Sequence, residues 1–164
     1  GAPSLEETLR RALRFARGEG PLAAPLEAKG LRMGLRSYRA WMGALEGEPG
    51  EELESQAFNM ALNLNALLDA RRTASEFTQI LAAMNEEWRV SLSRAAEHYR
   101  HQVTALGEAR RILYFPREAP EDAATKAARQ LADPELRKRY GEVLRAALEE
   151  ENLSLEWIER AIQE

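Results

Sequence analysis

The fold is decided by residues 51–83, which read EELESQAFNMALNLNALLDARRTASEFTQILAA and contain neither glycine nor proline. Strong helix formers fill this stretch, and β-branched residues are rare in it. At 100° per residue its polar side chains share one narrow stripe, while the remaining surface is largely apolar. The stripe consists of Asn65, Asp69, Arg72 and Glu76. The pattern predicts one long helix at the centre of a helical bundle.

The neighbouring segments extend this pattern to the rest of the chain. A capping box, Ser4 with Glu7, opens an N-terminal helix over residues 1–17, and a loop or linker follows over 18–26. Residues 27–164 form the bundle, with helices expected at about 27–46, 51–83, 85–114, 120–132 and from 134 to the end. The connections are short, so the sequence predicts a single all-α domain, an antiparallel bundle of five to six helices.

Composition supports this fold and excludes several classes of function. Alanine and leucine fill 51 of the 164 positions, whereas valine, isoleucine and threonine fill 12. Cysteine is absent, which excludes disulfides, thiolate catalysis and cysteine-bound metals. The net charge of −4 argues against nucleic acid as a partner. No apolar run is long enough for a membrane span, and no signal peptide is present, so we expect a cytoplasmic protein without membrane contact. The start at Gly1-Ala2, without methionine, leaves open that the chain is a fragment of a longer protein.

Three polar residues of the long helix are candidates for ligand binding. Asn59 and Asn63 are four residues apart and project into an apolar face, and Arg71 projects beside Met60 and Leu64. A buried amide or guanidinium must find partners. These side chains therefore either line an internal ligand pocket or fix the bundle register through hydrogen bonds and a buried ion pair.

Aromatic residues are the second set of candidates for the walls of a pocket. Tyr38, Trp41, Trp88 and Tyr99 recur at helical spacing. They either enclose an aromatic or acyl ligand or simply fill the core.

The two histidines of the chain, His98 and His101, are candidate metal ligands. On a helix they lie 60° apart, close enough to reach one metal ion. The remaining ligands must be carboxylates, for example Glu97 or Glu76. The alternative is that both are surface histidines. No cofactor-binding motif is present, so we expect no cofactor unless a metal binds here.

Four strings of the sequence carry a resemblance to a known group of proteins. They are Gly34-Leu35-Arg36-Ser37-Tyr38-Arg39-Ala40-Trp41, then Phe58-Asn59 to Ala70-Arg71-Arg72-Thr73-Ala74-Ser75-Glu76-Phe77, then Ala95-Ala96-Glu97-His98-Tyr99, and Leu113-Tyr114-Phe115-Pro116. Over residues 30–116 this order resembles a helical module of uncharacterised bacterial proteins. That module follows a papain-like domain related to the butirosin-biosynthesis acyltransferase. The resemblance implies an accessory or ligand-binding module and carries over no catalytic residue.

Three hypotheses for function follow. The first is a non-catalytic helical module that binds a small amphipathic ligand or a partner domain, with walls from the third and fourth predicted helices. It expects Arg71→Ala to weaken binding more than stability. The second is a metal-dependent enzyme that uses His98 and His101. The third is a structural or regulatory homodimer that pairs through the second predicted helix, with Tyr38 and Trp41 in the seam.

Overall fold

A computed structural model describes residues 1–30, 32, 34–47, 53–113 and 120–163. These residues form helices and no β-strand, which confirms the all-α prediction. The helices are α1 (Leu5–Ala16), α2 (Ala24–Glu27), α3 (Leu35–Glu46), α4 (Leu53–Met84), α5 (Arg89–Ile112), α6 (Pro120–Ala132) and α7 (Pro134–Ala161). Because α2 is a single turn, the six longer helices agree with the expected number. None of the described helices is both long and apolar enough to cross a membrane.

The connection between α1 and α3 differs from the sequence prediction. The expected helix over 27–46 begins only at Leu35, because two glycines before it adopt left-handed backbone conformations. The φ angle is 80° at Gly30 and 55° at Gly34. A Cβ at Gly34 would come within 1.9 Å of the carbonyl oxygen of Ala16. Glycine is therefore required where the start of α3 crosses the end of α1.

The two central helices of the bundle are α5 and α7. α5 packs along both α4 and α7, and α7 also contacts α1, α3 and α6. His98 and Glu108 of α5 meet Glu150 and Arg139 of α7, so the contacts progress in opposite directions along the chain. The two central helices are therefore antiparallel, as predicted for the bundle.

α4 lies at the side of the bundle, so its predicted central position is wrong. Leu62, Phe77 and Ile80 are about half exposed, at 48%, 48% and 56%. Ala66 and Ala70 of the same helix are also exposed in the described structure. A wide apolar surface shows which faces of a helix tolerate burial, but it does not show which of them a neighbour covers.

Among the described residues, the buried side chains form two cores that share α5 and α7. One core contains Tyr38, Leu64, Leu68, Leu106, Tyr140 and Leu144. The other contains Leu9, Leu13, Leu92, Tyr99, Leu155 and Ile158. α7 continues without a break through Asn152 and Ser154, and the Ser154 hydroxyl donates to the carbonyl of Glu150 within the helix. Side chains near the middle of α5 and α7 therefore face several helices at once.

Candidate functional site

A groove of about 620 Å³ runs between α3 and α4. It exists because α3 packs on α7 while α4 packs on α5 and α6, which leaves the facing sides of α3 and α4 apart. Trp41, Met60 and Leu67 give it apolar walls, and Arg71 adds a guanidinium. Its volume is within the range of small-molecule binding sites.

Arg71 is held in the groove by a carboxylate from α7. Its Nε–H donates to Oε2 of Glu151 over 2.6 Å. Glu151 is only 2% exposed, whereas the Arg71 side chain keeps 18% of its surface exposed. Burial opposes the charge of Arg71, but the attraction of Glu151 outweighs it and raises the pKa of the guanidinium. The pair therefore presents a fixed, permanently charged donor group to the groove.

Two tyrosines and a glutamine surround this ion pair. The Nε2 amide of Gln102 donates to the hydroxyl of Tyr38 over 2.5 Å, and both side chains are buried. Burial, reinforced by the negative charge of Glu151, raises the pKa of Tyr38 and of Tyr99. The Oε1 atom of Gln102 has no hydrogen-bond partner among the described residues. Side chains of α3, α4, α5 and α7 thus meet in one buried polar cluster behind the groove.

The groove brings together five of the seven residues that the sequence proposed for ligand binding. Tyr38, Trp41, Asn59, Asn63 and Arg71 all line it. The two asparagines, however, are exposed at its rim. The expectation that their amides project into a buried apolar face is therefore wrong, for the same reason that α4 is not central.

The other two proposed residues lie outside the groove. Tyr99 is buried behind it, within electrostatic range of Arg71 and Glu151. Trp88 packs against the second core and contributes nothing to the groove. The walls therefore come from α3 and α4, which are the second and third predicted helices and not the third and fourth.

Sequence reasoning missed Glu151 and Gln102. Glu149, Glu150 and Glu151 have the composition of a solvated face, but three consecutive residues of a helix span 200° and cannot all face water on a helix packed on several sides. The signal was present in the spacing, since residue 151 lies seven positions from both Leu144 and Ile158, which are buried. The heptad position identifies Glu151 as the inward residue.

A second polar cluster joins the outer faces of α5 and α7. The Nδ1 atoms of His98 and His101 lie 2.7 Å and 3.5 Å from the same atom, Oε2 of Glu150. The carboxylates expected from sequence are elsewhere: Glu97 pairs with Arg94 on its own helix, and Glu76 is exposed on α4. The two histidines lie together as their spacing indicates, but the carboxylate beside them is Glu150 and not Glu97 or Glu76, and metal binding stays a prediction.

The seam expected for a homodimer is altered by the burial of Tyr38. This side chain is 2% exposed and packs inside its own chain, so it is not available for a second copy. Trp41 is half-buried against Tyr140, with the two rings edge to face. A dimer through α3 stays a prediction, with Trp41 but not Tyr38 available for its contacts.

Comparison with known proteins gives no family for this chain. No family model, no curated protein and no solved structure matches it. The function must therefore be argued from the geometry of the site.

Proposed function

We propose that the protein is a non-catalytic helical module that binds a small amphipathic ligand in the groove between α3 and α4. The observation that carries the proposal is the position of Arg71, a partly buried and anchored guanidinium whose exposed fraction lines a largely apolar groove. An arginine with no role in binding is more simply placed on the surface, where it needs no buried carboxylate as a partner.

The residues that line the groove indicate the chemistry of the two ends of the ligand. Arg71 carries five N–H donors, of which the Nε–H donates to Glu151, so an acceptor-rich head group such as a carboxylate suits the donors that face the groove. Trp41, Met60 and Leu67 offer apolar area for an aliphatic or aromatic tail. Arg32 adds a second positive charge to the lining. The site therefore favours an anionic amphiphile over a cationic one.

The resemblance to modules that follow papain-like domains is compatible with this proposal. A partner domain that inserts an apolar segment ending in a carboxylate would use the same contacts. That partner stays a prediction of the resemblance, and the small ligand is the occupant tested first.

Three amphiphiles with ten-carbon chains provide the test: decanoate, decanol and decyltrimethylammonium. Isothermal titration calorimetry should detect binding of decanoate, weaker binding of decanol and the weakest binding of the cation. The reason is that only the carboxylate accepts hydrogen bonds from Arg71 with opposite charge.

The position of the bound ligand is tested with variants that leave the ion pair of Arg71 and Glu151 intact. Ala40 lines the groove from α3 and is exposed, so Ala40→Trp should fill the groove and lower the affinity for decanoate at least about tenfold. Ala66 is also an exposed helical alanine but does not line the groove, and Ala66→Trp is the matched control. Equal loss in both variants, or equal binding of all three amphiphiles, would refute the proposal.

A further inference from the structure

We infer that His98, His101 and Glu150 form a binding site for a divalent transition-metal ion of the zinc type. The three side chains each offer one ligand atom, and these atoms all lie within 4.8 Å of one another. The site is on the α5–α7 side of the bundle and shares no residue with the groove between α3 and α4. Metal binding at this site is therefore independent of the ligand proposed for the groove.

The backbone of two helices fixes this arrangement. His98 and His101 are three residues apart on α5, so their imidazoles emerge from the same side of the helix. Their rings meet edge to face with centroids 5.9 Å apart. α7 runs antiparallel to α5 and supplies Glu150 from the opposite side. Glu150 and Glu151 point in different directions because they are neighbours on a helix, so the outer carboxylate serves this site and the inner one serves Arg71.

The distances between the three side chains are short enough for one metal ion to bind them together. Zinc binds histidine nitrogen and carboxylate oxygen at about 2.0–2.2 Å, which places neighbouring ligand atoms of a tetrahedral shell about 3.3 Å apart. The observed Nδ1–Oε2 distances of 2.7 Å and 3.5 Å lie on either side of that value. A hydrogen bond explains the His98 contact, but 3.5 Å is long for a second one from His101. One ion between the three atoms accounts for both histidines converging on a single carboxylate oxygen.

The surroundings of the site allow an ion to enter and favour a cation. The side chains of His98 and Glu150 are 21% and 26% exposed, and that of His101 is 55% exposed. His101, Glu149 and Glu150 also line an adjoining open cavity of about 670 Å³ between α5 and α7. The remaining coordination positions therefore face solvent, and a second carboxylate lies nearby.

The ligand set indicates which metals the site accepts. Two imidazoles and one carboxylate suit Zn²⁺, Co²⁺, Ni²⁺ and Cu²⁺, whereas Mg²⁺ prefers oxygen ligands alone. Three protein ligands leave at least one position for water, as in zinc sites that are open to further ligands. We therefore expect one Zn²⁺ per chain at micromolar concentrations and no competition from Mg²⁺.

Calorimetric titration of ZnCl₂ into the EDTA-treated full chain tests the inference, with MgCl₂ as the comparison titrant. His101→Ala and Glu150→Gln should each weaken zinc binding at least about tenfold, because each removes one of three ligands. His101 is exposed, so its variant is expected to fold, and circular dichroism checks this. Glu156→Gln, which removes another exposed carboxylate of α7, is the matched control and should bind zinc as the unmodified protein does.

Cobalt provides a spectroscopic check on the same ligands. Co²⁺ bound by two nitrogens and one oxygen should give a visible absorption band that is lost in His98→Ala and retained in Glu156→Gln. Absence of zinc binding up to millimolar concentration would overturn the inference. Binding that His101→Ala and Glu150→Gln leave unchanged would overturn it as well, since the ion would then lie elsewhere.

Discussion

Arg71 of α4 donates from Nε to the Oε2 atom of Glu151 on α7 over 2.6 Å, across 80 residues of sequence. The two helices do not pack extensively on each other, so this ion pair connects them through the interior of the bundle. A buried ion pair contributes little net stability, but the loss of one partner leaves an uncompensated charge in the interior. Because Arg71 also lines the groove, a change in this pair affects both the groove and the stability of the fold.

The first prediction concerns the stability of Arg71 variants. Arg71→Ala leaves the 2% exposed carboxylate of Glu151 unpaired and should lower the free energy of unfolding by about 3 kcal/mol. This replaces the expectation from sequence that the variant affects binding more than stability. The double variant Arg71→Met/Glu151→Leu removes both charges and should recover much of the loss. Urea unfolding measures both, and equal stability of the single and double variants would show that the pair is not buried as described.

The second prediction concerns alkaline pH. Burial raises the pKa of Tyr38, Tyr99 and Tyr140, and the charge of Glu151 adds to the effect at the first two. An unfolded tyrosine loses its proton near pH 10, whereas these three keep theirs in the folded state. Stability is therefore full below about pH 10 and falls above it, by as much as about 1.4 kcal/mol per pH unit for each tyrosine.

Tyrosinate absorbance and far-ultraviolet circular dichroism, recorded on the same samples, check this prediction. The three buried tyrosines should ionise only as helicity is lost. Ionisation of more than one of the four tyrosines of the chain while helicity stays native would contradict it, because only Tyr114 lies outside the described residues.

Local patterns predicted much of the helical structure. The stripe Leu92, Ala95, Tyr99 and Leu106 of α5 is buried as its spacing indicates, and Asp133 accepts hydrogen bonds from the first amides of α7. Both features depend only on residues within one helix. The end predicted for this helix, at about residue 114, lies outside the described residues.

Features that depend on neighbouring helices were harder to predict. The side of α4 that carries Asn59 and Asn63 is apolar enough for burial, yet no other described helix covers it. Glu151 is buried together with a partner that lies 80 residues away in the sequence. No pattern within α7 identifies that partner. Helical periodicity indicates which faces of each helix are apolar. It does not indicate which of these faces a neighbouring helix covers, and the groove forms where a face is left uncovered.

The third prediction concerns the glycine at the start of α3. Gly34→Ala would place a Cβ within 1.9 Å of the Ala16 carbonyl oxygen, in a left-handed backbone conformation. The backbone strain alone costs about 1–3 kcal/mol, and the displacement of α1 adds to it.

Gly107→Ala is the matched control, because Gly107 lies within α5 and a Cβ there has nothing within 4 Å. It should raise the melting temperature, by the equivalent of about 0.5–1 kcal/mol. A Gly34→Ala variant as stable as the Gly107→Ala variant would refute the close crossing of α1 and α3.

The fourth prediction concerns the attachment of α1 to α7 at acidic pH. Both terminal nitrogens of Arg17 donate to Glu159, over 3.0 Å and 2.7 Å, and the hydrogen bond lowers the pKa of Glu159. The stabilisation is present above the ordinary carboxyl pKa of about 4.3 and is lost as the pH falls through the lower folded value. Because both side chains are about one third exposed, solvent screening limits this stabilisation to below about 1 kcal/mol.

Glu159→Gln should therefore be slightly less stable than the unmodified protein at neutral pH, and this difference should vanish near pH 3. Hydrogen exchange of the α1 amides should be faster in the variant at neutral pH, because α1 is held on α7 partly by this pair. Glu142→Gln removes an exposed carboxylate of α7 that does not act on Arg17, so it should leave this exchange unchanged. A stability difference that persists at the same size at acidic pH would mean that packing, and not the ion pair, holds α1 in place.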